Sequence, residues 1–214
     1  LAIVGGFVET LSRRYRGVLE DGASVLLDEA LEGCRRMSVL VDDVLAYSRV
    51  GRRLDVSELD VSEVVREALA ELRSDVEDSG AEVEIGELPA VRADRSMLRL
   101  VFRNLLANGI KFRRPGQAPR IVVSAEPGED EWVFCVADDG IGIPPAEAQR
   151  IFEIFERGRD GVGYSGSGIG LATCRRVVGE LGGRIWCSPG ERNGAVFRFT
   201  IPAGGTAPQT APPR

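Results

Sequence analysis

The chain has 214 residues, a net charge of −6, 43% hydrophobic and 28% charged residues, four cysteines and no histidine. This length accommodates one or two domains with a full core, while the acidic balance argues against a general nucleic-acid binder, whose contacts need basic surface. The lack of histidine removes His-based triads and zinc sites, the scattered Cys34, Cys135, Cys174 and Cys187 fit reduced thiols of a cytoplasmic protein, and no apolar run nears the ~18 residues that span a bilayer.

The start at Leu1 rather than Met fits a fragment. Val4, Phe7, Leu11 and Val18 sit at helical spacing, interrupted by Arg14. After a break at Gly17 and Asp21-Gly22, the residues Leu27, Ala30, Cys34, Met37, Val41, Val44 and Ser48 step by three and four. That is the a/d seam of a coiled coil or four-helix bundle. Two helices do not close such a core, so residues 1–51 are expected to form a helical hairpin that dimerises into a four-helix bundle. The alternative is a hairpin packed on the rest of the same chain.

A polar linker follows around Ser48 to Asp55. Residues 52–202 then alternate helix and strand. A helix is expected over Ser62–Glu77, capped near Asp60, and a strand over Glu82–Ile85. A helix capped by Asp94 runs from Arg95 to about Phe112, and Arg114-Pro115-Gly116 ends it. Strands follow over Arg120–Ala125 and Trp132–Ala137, then a helix near Ala146–Phe155. A glycine-rich loop leads to a helix over Gly168–Leu181, and strands Arg184–Cys187 and Val196–Ile201 close the series. The expected fold class is α+β: the helical bundle, then an α/β sandwich with one mixed, mostly antiparallel sheet. Residues 203–214 read as a disordered tail.

The stretch "NLLANGIKF" holds the only lysine, Lys111, against 26 arginines. Its Asn-Gly pair is a hairpin signal, but Leu98, Phe102, Leu105, Gly109 and Phe112 form an apolar helical stripe. Asn104, Asn108 and Lys111 fall on the neighbouring face, so helix is favoured over turn. A carboxamide oxygen suits a Mg²⁺ shared with phosphates, and a compact ammonium suits phosphate oxygens; chance survival of one lysine is the alternative. "DDGIGI" places Asp138 at a strand end, before Gly140 and Gly142, where it can accept from an adenine amino group. Alone, such a turn is common. "GSGIGLA" puts Gly166, Gly168 and Gly170 ahead of a helix, a phosphate cradle that is weak evidence by itself. Glu156 to Ser165 reads as a lid.

Taken in order, these clusters resemble the catalytic ATP-binding domain of two-component sensor histidine kinases, in the ATPase superfamily that includes DNA gyrase. The resemblance spans about Asp55 to Ile201 and extends to "GGFVETLSRRY" and "MSVLVDDVLAYSRVG", which look like a dimerisation and phosphoacceptor hairpin; phytochrome-like or PAS-linked kinases are the nearest flavour. It implies a Bergerat-type fold that uses ATP and Mg²⁺. By the same resemblance Asn108 is the metal ligand with Asn104 beside it, Lys111 contacts phosphates, and Asp138 binds the adenine amine in a pocket shaped by Gly140 and Gly142. Phe152 and Phe155 anchor the lid, and Gly166, Gly168, Gly170 and Leu171 border the phosphates. The implied partners are a response-regulator receiver domain, a second copy of the chain and an upstream sensor domain, with no nucleic acid and no membrane contact by these residues. Gly109 stands where alanine is usual. The family's His-containing acceptor box is absent, so the phosphoacceptor histidine is expected upstream of Leu1 and these residues alone are expected not to autophosphorylate. The other reading is an acceptor-less pseudokinase, an ATP-sensing scaffold that docks a regulator.

Overall fold

The computed structural model describes residues 54–156, 167–190 and 194–204, with a few positions between 10 and 41. Those early positions are helical; the hairpin, its four-helix bundle and the tail from 205 onward lie outside the described residues. Two residues of the early seam, Met37 and Val41, are exposed.

From Val56 the chain builds β1 (Val56–Asp60), α1 (Val61–Glu71), α2 (Arg73–Ser79), β2 (Glu82–Ile85), β3 (Ala90–Asp94) and α3 (Arg95–Lys111). It continues with β4 (Arg120–Pro127), β5 (Glu131–Asp138), a 3₁₀ turn (Arg150–Phe152), α4 (Gly170–Glu180), β6 (Ile185–Pro189) and β7 (Ala195–Pro202). Five strands form one sheet in the order β2-β4-β5-β7-β6, with only β2 and β4 parallel. This is the mixed, mostly antiparallel sheet the sequence predicts. Helices α1, α3 and α4 pack together over one face.

Helix α3 occupies the middle of that layer. Leu98, Val101, Phe102, Leu105, Leu106, Gly109 and Ile110 are all buried. Phe102 meets Phe134 of β5 and Phe199 of β7 edge-on, at 6.0 and 5.3 Å between ring centroids, and those two rings stack on each other. Each such side chain contributes about 1.5–3 kcal/mol on burial, against about 1 kcal/mol for a glycine in mid-helix. Tertiary burial therefore holds Asn108-Gly109 in a helix despite its turn chemistry.

The expected caps form. Asp60 accepts from the Ser62 N–H at 2.8 Å, and Asp94 Oδ1 accepts from the N–H groups of Ser96 and Met97 at 3.0 and 3.1 Å. Asp94 Oδ2 also accepts from the Asp55 N–H at 3.0 Å, tying the start of β1 to α3.

Three local expectations need correction. The helix over Ser62–Glu77 breaks at Leu72, whose φ of −101° and ψ of 13° leave the α region, and α2 resumes beyond it. Two strands are unexpected: β1, just after the linker, and β3, just before α3, pair antiparallel in a separate two-stranded sheet. Their sequences, VSELD and AVRAD, bury only Leu59, Val91, Ala93 and Asp94, too little alternation to be read locally. The helix near Ala146–Phe155 is only a 3₁₀ turn. Its buried residues, Ile151 and Phe152, are adjacent rather than a turn apart, and Phe155 has φ +66°, which a right-handed helix excludes. Among the described residues no helix is long and apolar enough to cross a membrane.

Asp94→Ala is expected to lower stability by about 1–2 kcal/mol at neutral pH, as loss of an N-cap does. Burial raises the Asp94 carboxyl pKa, but hydrogen bonds from Ser96, Asp55 and Met97 outweigh it and hold the value below 3.8. The stabilisation is thus complete above the ordinary carboxylate range and is lost as pH falls through the lowered value. Denaturant titrations should show the wild-type advantage shrinking only below pH 3.8.

Candidate functional site

The predicted polar stripe is present on α3. Asn104, Asn108 and Lys111 are half-buried beside the buried stripe of Leu98, Phe102, Leu105 and Gly109. The Lys111 ammonium sits 4.4 Å from the centroid of the Phe112 ring.

The two other clusters meet this helix at different heights. In its last turn, a Cβ on Gly109 would stand 3.5 Å from Asp138 Cβ and 2.8 Å from Ile121 Cδ1. The glycine thus lets the ends of β4 and β5 close onto α3. At the helix end, the Ile141 N–H donates to the Phe112 carbonyl at 3.0 Å, and Arg114 Nε donates to the Gly140 carbonyl at 3.2 Å. A Cβ on Gly140 would lie 2.4 Å from the Phe112 carbonyl oxygen, a backbone atom that cannot turn away. Gly142 takes a φ of +78°, which suits glycine.

Near the middle of the helix, the glycine loop reaches Asn104. A Cβ on Gly170 would lie 3.5 Å from Asn104 Oδ1. Helix α4 starts there, and its Cys174 packs against α3 near the Val101 carbonyl. Burial pushes the Cys174 thiol up to about 12, with Asn104 acting the other way, so this cysteine is a packing group rather than a nucleophile. Gly168 adopts φ +72°, and its carbonyl accepts the Phe155 N–H at 3.0 Å. Phe152 is buried against Phe197, whereas the Phe155 side chain is exposed. Leu171 is half-buried. Gly166 and most of the expected lid, residues 157–166, lie outside the described residues.

Asp138 is the most perturbed carboxylate of the site. Burial raises its pKa above 3.8, partly offset by hydrogen bonds from the Gly140 and Ala195 N–H groups, while Asp139 adds to the rise. Those two donors lie 3.0 and 3.2 Å away, both on Oδ1. Among the described residues the hydrogen bonds to this carboxylate all fall on Oδ1. Asp138 therefore carries a desolvation cost that a bound donor relieves. Among the described residues no group of three Cys, Asp or Glu side chains could hold a metal ion. The Asn104–Asn108 carboxamides could supply oxygen ligands to an ion that also takes phosphate and water.

Sequence reasoning missed Arg114 and Ala195. Arg114 reaches Gly140 across 26 residues and Ala195 reaches Asp138 across 57. No local periodicity carries either pairing.

The family described as histidine kinase-, DNA gyrase B-, and HSP90-like ATPase matches residues 93–205. The phytochrome-like protein Cph1 of Synechocystis sp. is 42% identical over 202 residues, covering 94% of this chain and 27% of that protein. The methanogenesis regulatory histidine kinase FilI of Methanothrix harundinacea is 35% identical over 206 residues, 94% of this chain and 23% of that protein. The chain thus spans about a quarter of the length of these relatives. Among solved structures, histidine kinase ThkA in complex with the response regulator TrrA superposes with a TM-score of 0.69 at 26% identity, covering 94% of this chain and 57% of that one. Full-length ShkA in complex with AMPPNP gives a TM-score of 0.69 at 24% identity over 95% of this chain and 47% of that one, a likeness of fold.

Two substitutions check this packing. Gly109→Ala gains about 1 kcal/mol of helix propensity but presses on Ile121 Cδ1. It should be neutral or destabilising in wild type and stabilising in an Ile121→Ala background, which removes both Cδ1 and Cγ1, the atoms 2.8 and 3.1 Å from the new Cβ, a coupling of about 0.5–2 kcal/mol in a double-mutant cycle. Asp138→Asn should raise the melting temperature of the ligand-free protein at neutral pH. A carboxyl with raised folded pKa costs stability as pH climbs from 3.8 through the raised value, so the gain should vanish in acid.

Proposed function

The chain belongs to the sensor histidine kinases, within the histidine kinase-, DNA gyrase B- and HSP90-like ATPases, and on that premise we propose that it binds Mg·ATP for phosphoryl transfer to a histidine. The observation that carries the site assignment is the convergence of all three clusters on α3. Gly170 lies against Asn104, Asp138 against Gly109, and Gly140 against Phe112. One ligand about the length of a nucleotide triphosphate can then touch all three.

In this reading Asp138 Oδ2 accepts from the 6-amino group of adenine. Gly140 and Gly142 let the backbone approach the base. Lys111 lies against phosphate oxygens, and the amides at Gly166, Gly168, Gly170 and Leu171 border the chain of phosphates. Asn108, with Asn104 beside it, holds the Mg²⁺, which neutralises phosphate charge when bound. The γ-phosphoryl leaves the β–γ bridging oxygen and forms a P–N bond to an imidazole nitrogen. The 214 residues contain no histidine, so in this reading the acceptor imidazole comes from outside them and these residues alone do not autophosphorylate. A receiver-domain aspartate then takes the phosphoryl group. The solved ThkA–TrrA complex supports such a partner.

The remaining parts of the proposal are architectural. Residues 1–51 form the hairpin, with residues 52–202 as the catalytic domain. The exposure of Met37 and Val41, two apolar seam positions, supports a second copy completing the bundle. This chain spans about a quarter of the relatives' length, which leaves room for a sensor domain, and the cytoplasm supplies the ATP.

Calorimetry with ATP and with ITP, whose base carries a 6-keto acceptor in place of the amine, tests the adenine assignment. Wild type should prefer ATP. In Asp138→Asn the two N–H groups on Oδ1 orient the amide oxygen inward and its NH₂ outward, so ATP affinity should fall at least about tenfold while ITP gains. Equal ATP affinity in both proteins would remove Asp138 from the site. In the full-length protein, acid-labile phosphate from ATP identifies the kinase; nucleotide binding without it identifies the scaffold reading.

A further inference from the structure

The orientation of Asp138 depends on a segment that none of the three motifs contains. Gly194, just before β7, abuts the end of β5 so closely that a Cβ there would lie 1.8 Å from the Asp138 carbonyl oxygen and 2.9 Å from Asp139 Cα. Both are backbone atoms, so no rotation relieves the contact. The next residue uses that closeness: the Ala195 N–H donates to Asp138 Oδ1 at 3.2 Å. The Gly140 N–H reaches the same oxygen from the other side at 3.0 Å. The Gly190 N–H donates to the Gly194 carbonyl at 2.8 Å, closing the turn that carries Gly194.

A carboxylate on its own turns freely about its last bond, because that torsion is broad and two-fold. Either oxygen then serves as acceptor, and solvent competes for both. Two N–H donors on one oxygen remove that freedom. We propose that Gly194 and Ala195 are positioning residues for base selection: the backbone entering β7 pins Asp138 Oδ1, so that Oδ2 alone faces the base. The proposal rests on the reading of Asp138 as the adenine acceptor. Its consequence is that discrimination between 6-amino and 6-keto purines is set by backbone 57 residues downstream of the carboxylate that makes the contact.

The readout is the ratio of ATP to ITP affinity in the full chain. Ala195→Pro removes the N–H while leaving the Gly190–Gly194 bond in place. It should reduce the ratio about tenfold, the scale of one hydrogen bond, with an unchanged circular dichroism spectrum. A purely structural role would weaken both nucleotides together and leave the ratio at its wild-type value, which would overturn the proposal. A wild-type ratio near one would instead sink the adenine reading itself, and the inference with it. If Ala195→Pro does not fold, the ¹⁵N-labelled wild type decides. The amide protons of Gly140 and Ala195 should shift with pH at one shared midpoint that Asp138→Asn abolishes. An Ala195 amide that stays flat while Gly140 titrates would show that Oδ1 is not held from β7.

Discussion

The stripe of Leu98, Phe102, Leu105 and Gly109 lies against β4, β5 and β7, and the rest of the site follows from that burial. Once the stripe faces the sheet, the row one residue out of phase, Asn104, Asn108 and Lys111, has to lie along the edge of the helix. There it is half-buried, neither lost in the core nor fully in water. Gly109 closes the distance between helix and sheet at the height of Asp138, so a carboxylate on a strand and carboxamides on a helix come to border the same space.

The site is also where the fold gives up stability. Asp138 is desolvated with only one of its oxygens supplied with protein donors. Gly140 and Gly194 hold backbone approaches that no side chain tolerates, and glycine in the unfolded chain costs conformational entropy. Phe155 sits at positive φ, with its ring in solvent. None of these features helps the ligand-free protein. The aromatic stack of Phe102, Phe134 and Phe199 and the buried valines of α1 supply the stability that permits them. The exposed ion pairs linking α1 and α3, such as Arg99 with Glu71 at 3.2 Å, contribute little by comparison.

Much of this architecture was legible in the residues because its causes are local. Asp60 and Asp94 cap the helices they precede, and Glu82–Ile85 is a strand as read. The α3 stripe has a period that only a helix satisfies. The errors fall where the cause is not local. Among the described residues β1 and β3 have only each other as strand partner, across the 29 residues between Asp60 and Ala90, so neither carries a pattern strong enough to stand alone. The stretch near Ala146–Phe155 has helical apolar spacing at Ala148, Ile151, Phe152 and Phe155, yet its shape is set by docking Ile151 and Phe152, which leaves Phe155 exposed at positive φ.

By itself, the sequence determined the kinds of chemistry available: no histidine, one lysine, two asparagines a turn apart, one carboxylate at a strand end and a glycine loop ahead of a helix. Residue type and short-range spacing suffice for that, because helix and strand periods act over a few positions. Only the tertiary structure decided that Asp138 lies beside Gly109 and Gly170 beside Asn104, and which backbone N–H groups hold Asp138 Oδ1. Those outcomes depend on strand register and on closest approach between chain segments that lie far apart in sequence. Such contacts are settled by how whole elements bury their faces, a quantity no short stretch of residues contains.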